Sequence, residues 1–552
     1  AKAEPIPEEP SAMPRHARHL IQRMSKDGFS QQRLKSTLEL QVQQRVEQII
    51  QDHHDVLSGN QINNAAALIL EVKTGNVLAY VGNTWMNQNG KHGEEVDIIA
   101  SHRSTGSILK PFLFAAMLED GKMLTKTLLP DVPIIINGFA PKNFSREYDG
   151  AVPADKALIR SLNIPAVHML QQYRYERFHS LLKKFGMTTL TQLPDHYGLS
   201  LILGGADGTL WDITGMYASL ARVLVNHSNP NDVEVKESNL IHGPVYQNES
   251  LNESSISNAS PLSAASLFLT AEVLKEVYRP GEESGWRKFF SSKKIAWKTG
   301  TSFGFRDGWA IGITPDYAVG VWTGNADGEG RPGLTGTQTA APIMFDIFST
   351  LPGNTWFERP YSEMDQIPVC SKSGLRISPY CSRADTLWIT IKGLESGICN
   401  YHKPVYVTPD KRYRVHQNCV SSLHMQQVNW FVLPPVQEYY YKFRNSSYES
   451  LPPFKPGCDL INNQSIMELV YPKHNTRIFI PRMLDGSPGS SVFELAHRNN
   501  NSHVYWHLDG QYLGSTLKVH RMLLNPEAGR HKLTLVDEQG NVLEREFVAV
   551  AD

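Results

Sequence analysis

Apolar residues recur at helical spacing in STLELQVQQRVEQIIQD (36–52). Leu38, Val42, Val46 and Ile49 or Ile50 fall on one face there, with Ser36 or Thr37 placed to cap. AAALILEV (65–72) and VLAYVG (77–82) are unbroken apolar runs too short for core helices. The intervening KTGN supplies the glycine and asparagine of a tight turn, so the pair predicts a hairpin of buried strands. SILKPFLFAAMLEDG (107–121) is apolar nearly all round, as a helix inside a core is, and Gly121 ends it. Helical spacing returns at 153–161, 164–173, 176–186 and 209–226. KKIAWKTGTS, RDGWAIGITP and YAVGVWTGN (293–325) predict three strands joined by short turns, and 339–351 a closing helix.

The rest of the chain is patterned differently. Residues 228–260 are dominated by Asn, Ser and Glu and read as an exposed loop. Residues 356–455 hold most of the cysteines with many prolines and tyrosines. The last hundred residues alternate in at least six short runs, among them TRIFIPRM, SSVFELAH and HVYWHLDGQYLG, with turns at Asp509-Gly510 and Gln539–Asn541. Regularly spaced short strands predict an immunoglobulin-like β-sandwich. The division expected is 1–60, a linker with an N-terminal helix; 61–355, a mixed α/β (α+β) domain with an antiparallel sheet and a helical subdomain; 356–455, a Cys/Pro-rich connector; and 456–552, an all-β domain. A chain of 552 residues is too long for one core.

Lysine and arginine number 54 against 55 acidic residues, which leaves no long-range pull toward nucleic acid or anionic lipid. No apolar run reaches the length of a membrane helix, and AKAEPIPEEPSAMP lacks the regions of a signal peptide. The expectation is a cytosolic chain, or a mature or truncated piece of an exported one. Cys370, Cys381, Cys399 and Cys419 crowd together and Cys458 stands apart. Pairing among the four is the first expectation, with all three pairings open. Zinc, through Cys399-Asn-Tyr-His402, is the second, and inert thiols the third.

Three short motifs each occur twice: SxxK at 107–110 and 291–294, SLN at 161–163 and 250–252, KTG at 73–75 and 298–300. Context separates the copies. Ser107 and Lys110 share a face at the start of a buried helix, because positions i and i+3 are neighbours, and Pro111 has no N–H to offer the carbonyl of Ser107. Ser291 and Lys294 sit in a cationic, polar run. Ser161 and Asn163 lie between two apolar helices, whereas the second SLN falls in the polar loop. Lys298 begins a triplet on a strand, whereas Lys73 sits on a solvated hairpin tip.

SILK, SLN and KTG in that order are the motif set of penicillin-binding proteins and class A β-lactamases. With RSLNIPAV, LILGGADGTLWDITGMYASLA and AWKTGTSFGFRDGWAIGITP, the chain resembles the transpeptidase domain of the class A penicillin-binding proteins. Its connector and terminal β domain resemble those of the 1C type. The glycosyltransferase motifs of that family do not occur here, so the resemblance is to the transpeptidase and C-terminal portion alone. A β-lactamase is set aside because Glu249-Ser-Leu-Asn252 is one residue short of the deacylating ExxLN run.

The resemblance implies D,D-transpeptidation of peptidoglycan stem peptides ending in D-Ala-D-Ala, through an acyl-serine that β-lactams also form. Ser107 would be the nucleophile, Lys110 its base, Ser161 a proton relay, and Asn163 a partner of Lys110 and the substrate amide. Lys298, Thr299 and Thr301 would bind the terminal carboxylate, and Gly300 would leave room for substrate beside the strand. Burial and the charge of Lys298 would hold Lys110 neutral. No metal or organic cofactor is required. The compartment implied is the periplasm, with an inner-membrane anchor in the full-length form, and the C-terminal β domain is a candidate docking site for a cell-envelope protein. D,D-carboxypeptidation and a non-catalytic β-lactam- or peptidoglycan-binding scaffold are the alternatives.

Overall fold

The computed structural model describes residues 16–551 apart from 86–90, 135, 137–138, 229–239, 248–258, 282–291, 459–465, 474–475 and 481–488. The second SLN and Ser291 lie outside the described residues. The chain divides into two compact units, Ala1–Glu119 with Leu170–Met364, and Asp120–Met169 with Asp365–Asp552.

The first unit is built on a five-stranded antiparallel sheet in the order Val77–Val81, Asn64–Glu71, Tyr317–Gly324, Asp307–Ile313, Ala296–Thr301. Helix Leu210–Ser228 covers one face and helix Ala341–Thr350 the other. Both faces are therefore dry, which is why these strands read as continuous apolar runs and not as alternating ones. The glycines face opposite layers. A side chain at Gly320 would strike Thr214 and Leu210, and one at Gly312 would strike Phe348 and Met344.

Differences from expectation have local causes. Helix Leu40–Leu57 starts later than its pattern, because the Thr37 hydroxyl donates to the Val77 carbonyl (2.8 Å) and leaves the helix N-terminus at Glu39. Helix Ala264–Lys275, which periodicity leaves unassigned, is apolar all round and is capped by Ser263. Residues 18–24 form a helix where a linker is expected. The first KTG does sit on a hairpin turn, with Gly75 at φ 74°, but the tip is half-buried and not solvated. Val245 N–H donates to the Gly75 carbonyl (2.9 Å), and a Cβ on Gly75 would lie 2.4 Å from the His242 ring.

In the second unit, a hairpin of Leu128–Asp131 and Gly150–Pro153 carries helix Ala154–Ile159. Two small sheets follow, Met364–Cys370 with Ala384–Thr390 and His402–Val407 with Gln426–Phe431, then helix Pro435–Arg444. The last residues form a three-stranded and a five-stranded sheet around one core that includes Phe493, Trp506, Leu533 and Phe547. Asp509 and Gly510 both adopt positive φ, as the expected two-residue turn demands. The disulfide joins Cys419 to Cys458, with Cα atoms 5.3 Å apart, which corrects the expected pairing within the cluster of four. Residues distant in sequence meet because the chain returns at Phe454 to bridge Arg414.

Candidate active site

Ser107 lies in the turn that leads into helix Lys110–Glu119, with the Lys110 N–H donating to the Ser107 carbonyl (3.3 Å). The helix is buried on every side through Leu118, so Lys110 enters the core with only 1% of its surface exposed. Ser107 itself is half-buried. Burial first, and the charge of Lys298 second, hold the Lys110 amine well below the usual lysine range.

The turn is fastened from three directions. Thr105 Oγ1 and N–H both donate to the Ala206 carbonyl (2.9 and 3.2 Å), and Ser104 Oγ donates to the Gly204 carbonyl (2.8 Å). Tyr217 Oη, buried in helix Leu210–Ser228, donates to the Ile108 carbonyl (2.7 Å). Trp309 Nε1 donates to the Ser104 carbonyl (2.9 Å). Sequence reading assigned none of these residues a role. The Gly204-Gly205 pair was the one visible signal: Gly204 has φ 97°, and a Cβ there would lie 2.7 Å from Gly106 N.

Strand Ala296–Thr301 is the sheet edge and runs beside this turn. A Cβ on Gly300 would lie 2.7 Å from the Thr105 carbonyl oxygen, and one on Gly106 would lie 2.6 Å from the Thr301 carbonyl oxygen and 2.8 Å from Thr301 N. Gly300 is therefore required by the protein's own turn, a different reason from the room for substrate read in the sequence. Strand alternation also divides the residues expected to bind the carboxylate. Lys298 and Gly300 pair with Ile311 and Trp309 on one face, and Thr299 and Thr301 with Ala310 and Gly308 on the other, where Thr301 Oγ1 accepts from Gly336 N–H (3.1 Å). Lys298 is buried, donates to the Thr299 carbonyl (2.7 Å), and burial brings its amine down to about 7. Beyond Ser302 a hollow of about 310 Å³ opens between Ser104, Phe303 and Arg306.

Ser161 and Asn163 belong to the second unit. Ser161 holds φ 56°, a left-handed conformation that a residue with a side chain seldom adopts. Asn163 opens its helix. Its N–H and that of Ile164 donate to Asn143 Oδ1 (2.9 and 3.2 Å), and its Nδ2 donates to the Lys142 carbonyl (2.8 Å). Asn143, which sequence reading passed over, is thus the cap of that helix and in turn donates to Asp131 (2.7 Å). Both SLN residues are half-buried, less enclosed than their apolar flanks predict.

The family model for the penicillin binding protein transpeptidase domain matches residues 65–349. The chain belongs to that family. The model for the penicillin-binding protein C-terminus family matches residues 459–548. Penicillin-binding protein 1C of Escherichia coli is 26% identical over 99% of this chain and 69% of its own length. Penicillin-binding protein 1B of Vibrio cholerae is 28% identical over 54% of this chain and 38% of its own. Among solved structures, that of the penicillin-binding protein PonA1 from Mycobacterium tuberculosis is similar at TM-score 0.49 and 18% identity, over 62% of this chain and 94% of that one. For this transpeptidase-family chain the fold class expected from sequence therefore stands: a mixed domain with an antiparallel sheet, followed by all-β layers.

Proposed function

We propose that the chain is a serine D,D-transpeptidase that cross-links peptidoglycan stem peptides, and that residues 61–355 carry the penicillin-binding domain. The observation that carries this reading is a fully buried lysine amine, held well below its ordinary range, one turn after a half-buried serine and beside an edge strand. A serine hydroxyl attacks an amide only if a base takes its proton, and a neutral Lys110 is such a base. Ser107 Oγ bonds to the carbonyl carbon of the penultimate D-Ala, and its proton passes to Lys110 Nζ. The oxyanion is held by the N–H groups of Ser107 and Thr301, and the glycine at 106 keeps the space beside Thr301 N clear. The terminal D-Ala departs as its amine takes the proton that Lys110 Nζ received. An amine of a second stem then attacks the acyl-serine and releases Ser107.

Lys298 receives the terminal carboxylate and its charge keeps Lys110 neutral, while Thr299 and Thr301, on the other face of the strand, stand outside that contact. A β-lactam meets the same groups and acylates Ser107 in the same way. D,D-carboxypeptidation is the same first half with water as acceptor, and a drug-binding scaffold would stop at the acyl-serine. The compartment proposed is the periplasm, with an inner-membrane anchor in the full-length protein and the C-terminal β layers open to an envelope partner. Incubation with polymerised, uncross-linked glycan strands, followed by muropeptide analysis, decides. Cross-linked dimers that disappear in Ser107→Ala are expected. Trimmed monomers alone would make it a carboxypeptidase, and unchanged strands a scaffold.

A further inference from the structure

The three thiols left outside the disulfide converge with a histidine in the second unit. Cys370 ends one strand of the first small sheet, Cys381 closes the turn Ser378–Cys381, Cys399 pairs back by its N–H to the Arg376 carbonyl (2.8 Å), and His402 begins the next sheet. All four ligand atoms lie within 4.8 Å of one another. His402 Nδ1 is 3.5 Å from both Cys370 Sγ and Cys399 Sγ. An ion with zinc's bond lengths to sulfur and nitrogen, tetrahedrally surrounded, sets that separation at about 3.6 Å. Cys370, Cys399 and His402 are each at most 4% exposed, while Cys381 is half-buried and its sulfur accepts from Ser378 N–H (3.3 Å).

A second copy of the same scaffold stands next in the chain and serves as an internal control. Cys370 N–H donates to Leu375 O (2.7 Å) and Thr408 N–H to Tyr413 O (2.9 Å). Arg376 N–H donates to Gly397 O (3.2 Å) and Arg414 N–H to Pro453 O (2.7 Å). Cys381 N–H donates to Ser378 O (3.0 Å) and Cys419 N–H to His416 O (3.1 Å). Cys399 N–H donates to Arg376 O (2.8 Å) and Lys455 N–H to Arg414 O (2.9 Å). Cys370, Cys381 and Cys399 thus correspond to Thr408, Cys419 and Lys455 of the second copy, and His402, three residues after Cys399, to Cys458, three after Lys455. Where only two of the four are cysteines, those two are bonded to each other as the disulfide. Where three cysteines and a histidine fill all four, no disulfide forms among them.

We propose that Cys370, Cys381, Cys399 and His402 bind one zinc ion in a closed, structural Cys₃His site. Sulfur and imidazole nitrogen in a four-fold set select zinc over hard cations, and with no open position the ion does no chemistry. It ties the first small sheet to the start of the second, in a segment whose own apolar cluster is small (Leu124, Val369 and Ile389). As the metal enters, each thiol gives its proton to solvent and becomes a thiolate ligand. This site is independent of the acyl-transfer reading.

The test is metal analysis of the full chain purified without chelator, with cobalt(II) titrated into the metal-stripped wild type. About one zinc per chain is expected, as is the strong visible absorption of tetrahedral thiolate-bound cobalt. Cys399→Ser should bring the zinc content close to zero, whereas Cys419→Ser with Cys458→Ser should leave it unchanged. If Cys399→Ser does not fold, the wild-type cobalt spectrum alone decides. A wild type that takes up neither metal, octahedral cobalt, or a disulfide between any two of the three cysteines would overturn the proposal.

Discussion

Lys110 and Lys298 are both buried lysines, yet the proposed chemistry needs them in opposite states, and this fixes the pH dependence. Lys110 acts when neutral, so its useful fraction rises with pH. Lys298 acts as a cation, and the free enzyme loses that charge as pH rises through about 7. The second-order rate of acylation by a fluorescent penicillin should therefore be bell-shaped, with its alkaline limb near neutrality. Lys298→Arg should push that limb upward, since a guanidinium stays charged. Lys298→Ala should slow acylation at least about tenfold, the worth of a charge-assisted hydrogen bond, whereas Lys73→Ala should leave it near wild type. The unfolded chain protonates both lysines up to their ordinary 10.5. Their cost to stability is thus fully present below the folded values and relieved as pH rises. Lys298→Met should accordingly melt above wild type at pH 7, by a margin that narrows toward pH 10; an equal or lower melting temperature at pH 7 counts against this.

The element that matters most is the turn from Ser104 to Ile108, because it aims the serine. Tyr217→Phe removes one fastening and leaves the Ile108 carbonyl without that donor inside the core, at a cost of about 1–3 kcal/mol. Denaturant unfolding should show that loss, with slower acylation beside it. Gly300→Ala pushes a methyl against the Thr105 carbonyl, and overpacking of this kind costs about 1–3 kcal/mol. Unchanged stability in Gly300→Ala would mean the strand and turn separate easily. At this scale periodicity performed well where an element is long and one-sided or wholly apolar, as in 107–121 and 293–325. It missed Ala264–Lys275 because the polar stretch before it hid the cap at Ser263.

Within the second unit, the C-terminal layers and helix Pro435–Arg444 are joined by charge. Arg498 pairs with Glu438, which is only 1% exposed, and also donates to the Leu433 carbonyl (2.8 Å). Arg498→Met should cost about 3–5 kcal/mol, because it strands a buried carboxylate. A thermal melt of the full chain reads this directly, and a loss below about 1 kcal/mol would place Glu438 in contact with water. The boundary expected between residues 455 and 456 lies next to a segment whose helix is held by residues beyond it. Removing 456–552 is therefore expected to loosen residues 433–444.

What the sequence determined by itself was the placement of the residues that the proposed chemistry uses: a serine and lysine one turn apart on a dry helix, and a lysine on a strand of residues that demand burial. Those signals are local, since i,i+3 spacing, strand period and turn glycines act over a few residues. What only the tertiary structure decided depends on distant chain segments meeting. Gly300 is fixed by the turn at Thr105, and Asn143 became a cap for a helix twenty residues on. Cys458 took Cys419, leaving three thiols to close on His402. Spacing along a chain carries no record of such meetings, because loop closure sets them only when the whole core forms.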